Sequence, residues 1–278
     1  MRNALICLAI ASLAPGCAPK PVIHPAVLEL EFDAAIPQAR DDVTGVTHLT
    51  LRGRQIGTDA HRLIKRCTNL RVLSIRACNA DQSPILAIAP TVQQLYVSNL
   101  KSRSPITLTG GESLGMLVIT SCELDNYNLD RLRSDGALTQ LTINDCTVSD
   151  ETISWIHNQN RLTTLQYGNN DASSDLFVNW ASTNLTHVDI AGMIPSPDAV
   201  AFLERQPSLS HFSIDLCGDP IAGAAVAMLQ RNSLSSAHLF CARKDMPRYN
   251  QLTSNAIPIV RVYQRHNDLS RTKYTDEP

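Results

Sequence analysis

The residues best suited to act together lie in the last third of the chain. His187, Asp189, His211, Asp215 and His238 bring three imidazoles and two carboxylates into a regularly spaced set. Held one strand spacing apart, such groups could bind zinc or nickel, which require three or four ligands supported by further hydrogen bonds. The same residues could instead form a partner-binding patch, or simply populate a solvated surface. A second candidate, Gly111-Glu112-Ser113-Leu114-Gly115, has the form of the nucleophile elbow of serine hydrolases. That elbow needs a strand before the serine and a helix after it. Here loop formers precede Ser113 and a strand starts at Leu114, so the hydrolase reading fails. The chain has no glycine-rich phosphate loop with lysine, no H-E-x-x-H and no calcium loop of alternating carboxylates.

Cysteine gives no ready metal site either, since none of the eight cysteines forms a C-x-x-C pair. Cys122 and Cys146 would lie within bridging distance if their segments stack, so a disulfide stays open beside a row of reduced thiols. Composition narrows the function classes further. A formal charge of -2, with Lys and Arg scattered evenly, leaves no basic face for a phosphate backbone. Aromatics at 5% supply no base-stacking platform, so nucleic acid is not an expected partner. With 278 residues and 44% hydrophobic side chains, a large core is feasible.

What positions these residues is an internal repeat of the form Leu-x-x-Leu-x-Leu-x-x-Cys/Asn. It occurs at Val46/Leu49/Leu51, Leu70/Leu73/Ile75/Cys78, Val92/Leu95/Val97, Leu114/Leu117/Ile119/Cys122 and Leu138/Leu141/Ile143/Cys146. It continues at Leu162/Leu165/Tyr167/Asn170, Leu185/Val188/Ile190, Leu209/Phe212/Ile214/Cys217, Leu234/Ala237/Leu239 and Ile257/Val260/Val262, with starts 22 to 25 residues apart. Apolar positions two apart point to one side of a strand, which is the core side. Helix-spaced segments follow the strands, as in Ser149 to Ile156 and Ser196 to Leu203, where a serine can cap the free amides and Pro197 suits the first turn. The same logic predicts helices over Ala60 to Cys67, Asp175 to Trp180 and Ala222 to Leu229. Lys101 to Gly111 carries turn and strand formers instead, which predicts an irregularity. Val27 to Phe32 alternates as a capping strand.

This pattern, with Cys146-Thr147-Val148-Ser149-Asp150-Glu151 ahead of an apolar helix, resembles the cysteine-containing, ribonuclease-inhibitor-like class of leucine-rich repeats. The resemblance covers residues 46 to about 265. It implies an α/β fold: a right-handed solenoid of about ten repeats, with a concave parallel sheet, convex helices and a buried Cys/Asn side chain serving each turn. It also implies protein binding through the concave face and no catalysis, cofactor or metal. Alternation places Arg52, Arg76, Tyr96, Asn144, Gln166, His187, Asp189, His211, Asp215 and His238 on that face. His187 and His211 share one column about 4.8 Å apart.

The first residues read differently from the rest. Arg2, the apolar run Ala4 to Leu13 and Ala14-Pro15-Gly16-Cys17 resemble a bacterial lipoprotein signal, with Ala14 where leucine is usual. The resemblance implies acylation of Cys17, removal of residues 1–16, a tether over 17–26, and outer-membrane sorting signalled by Ala18. The solenoid then occupies 27–265 and a loose tail 266–278. An ordinary cleaved signal peptide and an unprocessed cytosolic start remain alternatives. The reading is a lipid-anchored envelope module that binds a protein or a glycan. A structural subunit of an envelope complex and an intracellular effector or adaptor are the alternatives.

Overall fold

The computed structural model describes residues 26–31, 35–37, 41–80, 85–133, 137–170, 175–190, 192, 195–216, 227–229, 234–253 and 260–264. The leader with Cys17, the tail from His266, Cys217 and most of the helix expected over Ala222 to Leu229 lie outside the described residues.

An 11-stranded parallel sheet runs through the molecule, its strands ordered as in the chain. They are β1 Val27–Glu31, β2 His48–Arg52, β3 Val72–Arg76, β4 Gln94–Ser98, β5 Met116–Thr120 and β6 Gln140–Asn144. The remainder are β7 Thr164–Gly168, β8 His187–Asp189, β9 His211–Asp215, β10 Ser236–Cys241 and β11 Val260–Gln264. Register is preserved from strand to strand, so the pattern's apolar positions stack as Leu49, Leu73, Leu95, Leu117, Leu141 and Leu165 in one column. Leu51, Ile75, Val97, Ile119, Ile143 and Tyr167 form a second column, and both are buried. The capping strand β1 joins in the same register, Leu28 on Leu49 and Leu30 on Leu51.

Helices back only part of this sheet. They are α1 Thr58–Arg66, α2 Asp150–His157, α3 Pro197–Glu204 and α4 Met246–Thr253. Ser149 Oγ accepts from Thr152 N–H and Ser196 Oγ from Ala199 N–H, the caps expected from sequence. One helix expectation is corrected. Asp175 to Trp180 forms only a single 3-10 turn, Asp175–Phe177, whose Phe177 packs against Phe202 of α3. In the middle of the chain the backing is a second parallel sheet of Ile85–Ile88, Ile106–Gly110 and Tyr127–Asn128. The irregularity foreseen at Lys101 to Gly111 is the centre of that sheet, and it extends to both neighbours. Ile106-Thr107-Leu108-Thr109 alternates buried and half-buried, the period of a strand rather than a helix. Gly110 is obligatory there, because a Cβ would sit 2.4 Å from the Ile88 carbonyl oxygen.

Strands β2 to β7 are each followed by a residue with positive φ: Gly53, Ala77, Asn99, Ser121, Asp145 and Asn169. Their amides step along the edge, as from Ala77 to the Ser98 carbonyl and from Ser121 to the Asn144 carbonyl. Just beyond, the Cys/Asn positions point inward and bond the strand one repeat earlier. Cys78 Sγ donates to Leu51 O, Cys146 Sγ to Ile119 O, and Asn170 Nδ2 to Ile143 O at 2.8 Å. Asn170 Oδ1 also accepts from Cys146 N–H at 3.0 Å. Cys67, Cys78, Cys122, Cys146 and Cys241 are free thiols. Burial pushes Cys146 up to about 12 and Cys67 up to about 11.

Candidate functional site

On the solvent face of the sheet the residues expected from alternation form three groups. Near the N-terminal end, Arg52 and Arg76 are paired in register and exposed. Arg52 Nη1 lies 3.3 Å from Glu31 Oε1, and Arg76 Nε donates to Ser74 Oγ. Tyr96, half-buried on β4, donates to Gln94 Oε1 at 3.1 Å. In the middle, Asn144 spends its carboxamide oxygen on the Gly168 amide, and Gln166 accepts from Thr142 Oγ1 at 3.0 Å. These groups are separated along the sheet and do not converge.

Among the described residues, the C-terminal group is the one in which rings from successive strands contact one another. His187 and His211 are directly in register on β8 and β9, with ring centroids 5.8 Å apart and stacked at 30°. His238 stands edge-on to His211 at 4.9 Å, and Tyr263 edge-on to His238 at 5.4 Å. Tyr263 in turn stacks on Phe240 at 5.1 Å. Five rings thus cross four consecutive strands. Hydroxyls fix two of the imidazoles, since Thr186 Oγ1 is 2.9 Å from His187 Nδ1 and Ser236 Oγ is 2.5 Å from His211 Nδ1. Burial first, then His238 and His187, holds the His211 imidazole below its ordinary value.

Asp215 requires a correction. Alternation puts it on this face, yet it is 1% exposed. Its Oδ2 accepts from the Gly192 amide at 2.9 Å, so it braces the backbone and presents nothing to a partner. Asp189 is half-buried, with Gln166 and Ser213 beside it in register. Among the described residues no three His, Cys, Asp or Glu side chains gather as metal ligands would. Ser113 lies in a turn whose Leu114 amide bonds the Gly111 carbonyl, and the chain enters β5 rather than a helix.

Sequence reasoning left Phe240 and Tyr263 out of the candidate set, although the alternation of β10 and β11 marks both as outward. The supporting hydroxyls carry a visible signal, a threonine just before the strand. Thr163 and Thr186 donate to the carbonyls of Thr139 and Thr163, and Thr139 and Ser210 continue that ladder. A separate open groove of about 490 Å³ follows the turn edge, lined by Cys122, Glu123, Asp145, Cys146, Asn169 and Asn170 among others.

These features, a register-true parallel sheet with an inward Cys or Asn at the turns of several repeats, define a leucine-rich-repeat solenoid. Seventeen chains of solved structures match it. Human 5T4 (Wnt-activated inhibitory factor 1, trophoblast glycoprotein) is similar over 84% of this chain and 91% of its own, at 15% identity and a TM-score of 0.52. An internalin, InlF of Listeria monocytogenes, aligns over 88% of this chain and 83% of its own, at 18% identity and a TM-score of 0.36. No family model matches the chain, and no curated protein sequence does.

Proposed function

We propose that this protein is a lipid-anchored envelope module that binds another protein through the sheet face of its solenoid. The observation that carries the reading is the ring row from His187 to Tyr263, in which rings from four consecutive strands pack against one another. Amphipathic rings give large contact area at low conformational cost, which is why such residues anchor interfaces. A rigid sheet face carrying a packed ring row suits recognition better than catalysis. Anchoring is supported by Arg2, the apolar run Ala4 to Leu13 and Cys17. Among the described residues no helix is long and apolar enough to cross a membrane.

Two experiments test this. Photo-crosslinking residues are placed at Gln166 and His187 on the sheet face and at Ile85, which is 54% exposed on the opposite side. Discrete adducts from the first two positions and none from Ile85 are expected; adducts from Ile85 alone would move the interface to the back. Intact mass and membrane partition are compared for wild type and Cys17→Ala. Acyl mass and flotation in wild type only are expected, while soluble protein retaining residues 1–16 would sink the anchoring.

A further inference from the structure

The cysteines at the turns differ in what stands beside them. Cys78 has Leu100 as its neighbour in the next repeat, because Asn79 and Lys101 bridge immediately after the two. Cys122 and Cys146 instead follow one another in consecutive repeats, and the backbone on both sides holds them level. The Ser121 amide donates to Asn144 O at 3.0 Å, the Thr147 amide donates to Cys122 O at 3.2 Å, and Glu123 and Thr147 bridge just beyond. Residues level on neighbouring parallel strands stand about 4.8 Å apart. That falls inside the range of roughly 4.4–6.8 Å between Cα atoms that a disulfide accepts. Both side chains turn into the core, at 4% and 3% exposure, and the Cys146 thiol leans back over the earlier repeat toward Ile119 O. Both cysteines also line the open groove along the turn edge, which gives a small reagent a way in.

We infer that Cys122 and Cys146 are a redox-active pair, closed into a disulfide between repeats by a low-molecular-weight disulfide that enters this groove. The pairing rests on the geometry of the two turns; its occurrence in the cell rests on the envelope placement proposed above, where thiols meet oxidants. The Cys122 thiolate attacks one sulfur of the reagent, forming a mixed disulfide and expelling a thiolate. The Cys146 thiolate then attacks Cys122 Sγ and expels the second. Two S–H protons pass to solvent, the cysteine pair gives up two electrons, and the reagent is reduced to two thiols. Closure costs the turns little, since what is lost are weak thiol bonds, from Cys122 to Thr120 O at 3.3 Å and from Cys146 to Asn144 O at 3.2 Å. The link joins two kinds of repeat. Cys122 precedes the backing strand Tyr127–Asn128, and Cys146 precedes helix α2. A bond between them clamps the turn edge where the back of the solenoid changes from strand to helix.

Burial raises both thiols, so thiolate is scarce at neutral pH and the reaction is run at pH 8.5. The purified full chain is incubated with oxidised glutathione, quenched with acid, alkylated and mapped by mass spectrometry without reductant. A linked pair of peptides carrying Cys122 and Cys146 is expected, with Cys67, Cys78 and Cys241 alkylated, and dithiothreitol returns both thiols. Because the bond closes a loop in the unfolded chain, the oxidised protein should also denature at higher urea than the reduced one. In Cys146→Ala, whose melting curve checks folding, Cys122 should keep a glutathione adduct and form no link. Both thiols still free after prolonged incubation, links to other cysteines instead, or a link that forms only in urea would overturn the inference. If the purified chain forms the bond while acid-trapped cells hold both thiols reduced, the envelope placement fails and the pair stands. If the purified chain does not form it, the pair fails wherever the protein resides.

Discussion

The Asn170 carboxamide offers the sharpest test of how the turns are held. It is 7% exposed and closes two bonds across neighbouring repeats, accepting from Cys146 N–H and donating to the Ile143 carbonyl. In Asn170→Ala both backbone groups lose their partner. A stranded buried donor or acceptor costs about 1–3 kcal/mol, so two cost about 2–6 kcal/mol. Asn170 also lines the open groove, and water entering there replaces part of what is lost. That places the expected loss near the lower end, about 2–3 kcal/mol. Asn170→Cys should fall between the two, because a thiol can restore the bond to Ile143 as Cys146 does toward Ile119, but it cannot accept well from an amide. Urea denaturation read by the fluorescence of Trp155 and Trp180 gives the three midpoints and slopes. A ranking of Asn, Cys, Ala at constant slope is expected. Equal losses for Ala and Cys, or a loss for Ala below about 0.5 kcal/mol, would show that these bonds do not hold the turns.

Other perturbations probe separate links of the structure. Ala77 is exposed at φ 50, a conformation that disfavours a Cβ, so Ala77→Gly should raise stability by about 1 kcal/mol, measured as a higher urea midpoint. Phe202 stacks on Trp180 at 4.9 Å and touches Phe177, so Phe202→Ala should cost about 3–5 kcal/mol and shift tryptophan emission. His211 has a folded pKa below its ordinary 6.5, so the unfolded chain binds this proton more readily. Its contribution therefore falls as pH drops below about 6.5 and is fully lost below the folded value. Urea midpoints taken from pH 7.5 to 5 should decline less in His211→Gln, and parallel declines would remove His211 as the cause.

Parallel stacking explains why so much of this fold could be read from sequence. Once successive strands keep one register, a residue's place in the repeat fixes its column, and the stacking of His187 on His211 follows from counting alone. Burial at a strand end does not follow, since it depends on where the next turn folds. Asp215 is buried and accepts from the Gly192 amide, and nothing in the residues around Asp215 announces that. The strand Ile85–Ile88 was hidden for another reason. Ile85-Leu86-Ala87-Ile88 is a short apolar run that fits a buried strand or a helical turn equally well. Its partner Ile106–Gly110, with two threonines and a terminal glycine, states its preference openly. Phe240 and Tyr263 were visible as outward residues, but their contact joins fifth positions of two repeats that carry different residue types.

The change of backing from helix to strand sets the bend of the solenoid. On the front, neighbouring repeats sit about 4.8 Å apart wherever strands pair. Where a helix about 10 Å across forms the back, the rear of each repeat is wider than its front, and the stack must wedge open into an arc. Where Ile85–Ile88, Ile106–Gly110 and Tyr127–Asn128 pair, front and rear have the same pitch, and the wedge vanishes. The same reasoning makes the strand-backed middle straighter than the helix-backed repeats. The ring row lies on β8 to β11, beyond that strand-backed stretch. A ligand long enough to reach Arg52 and Arg76 as well would have to cross the straight stretch in extended form.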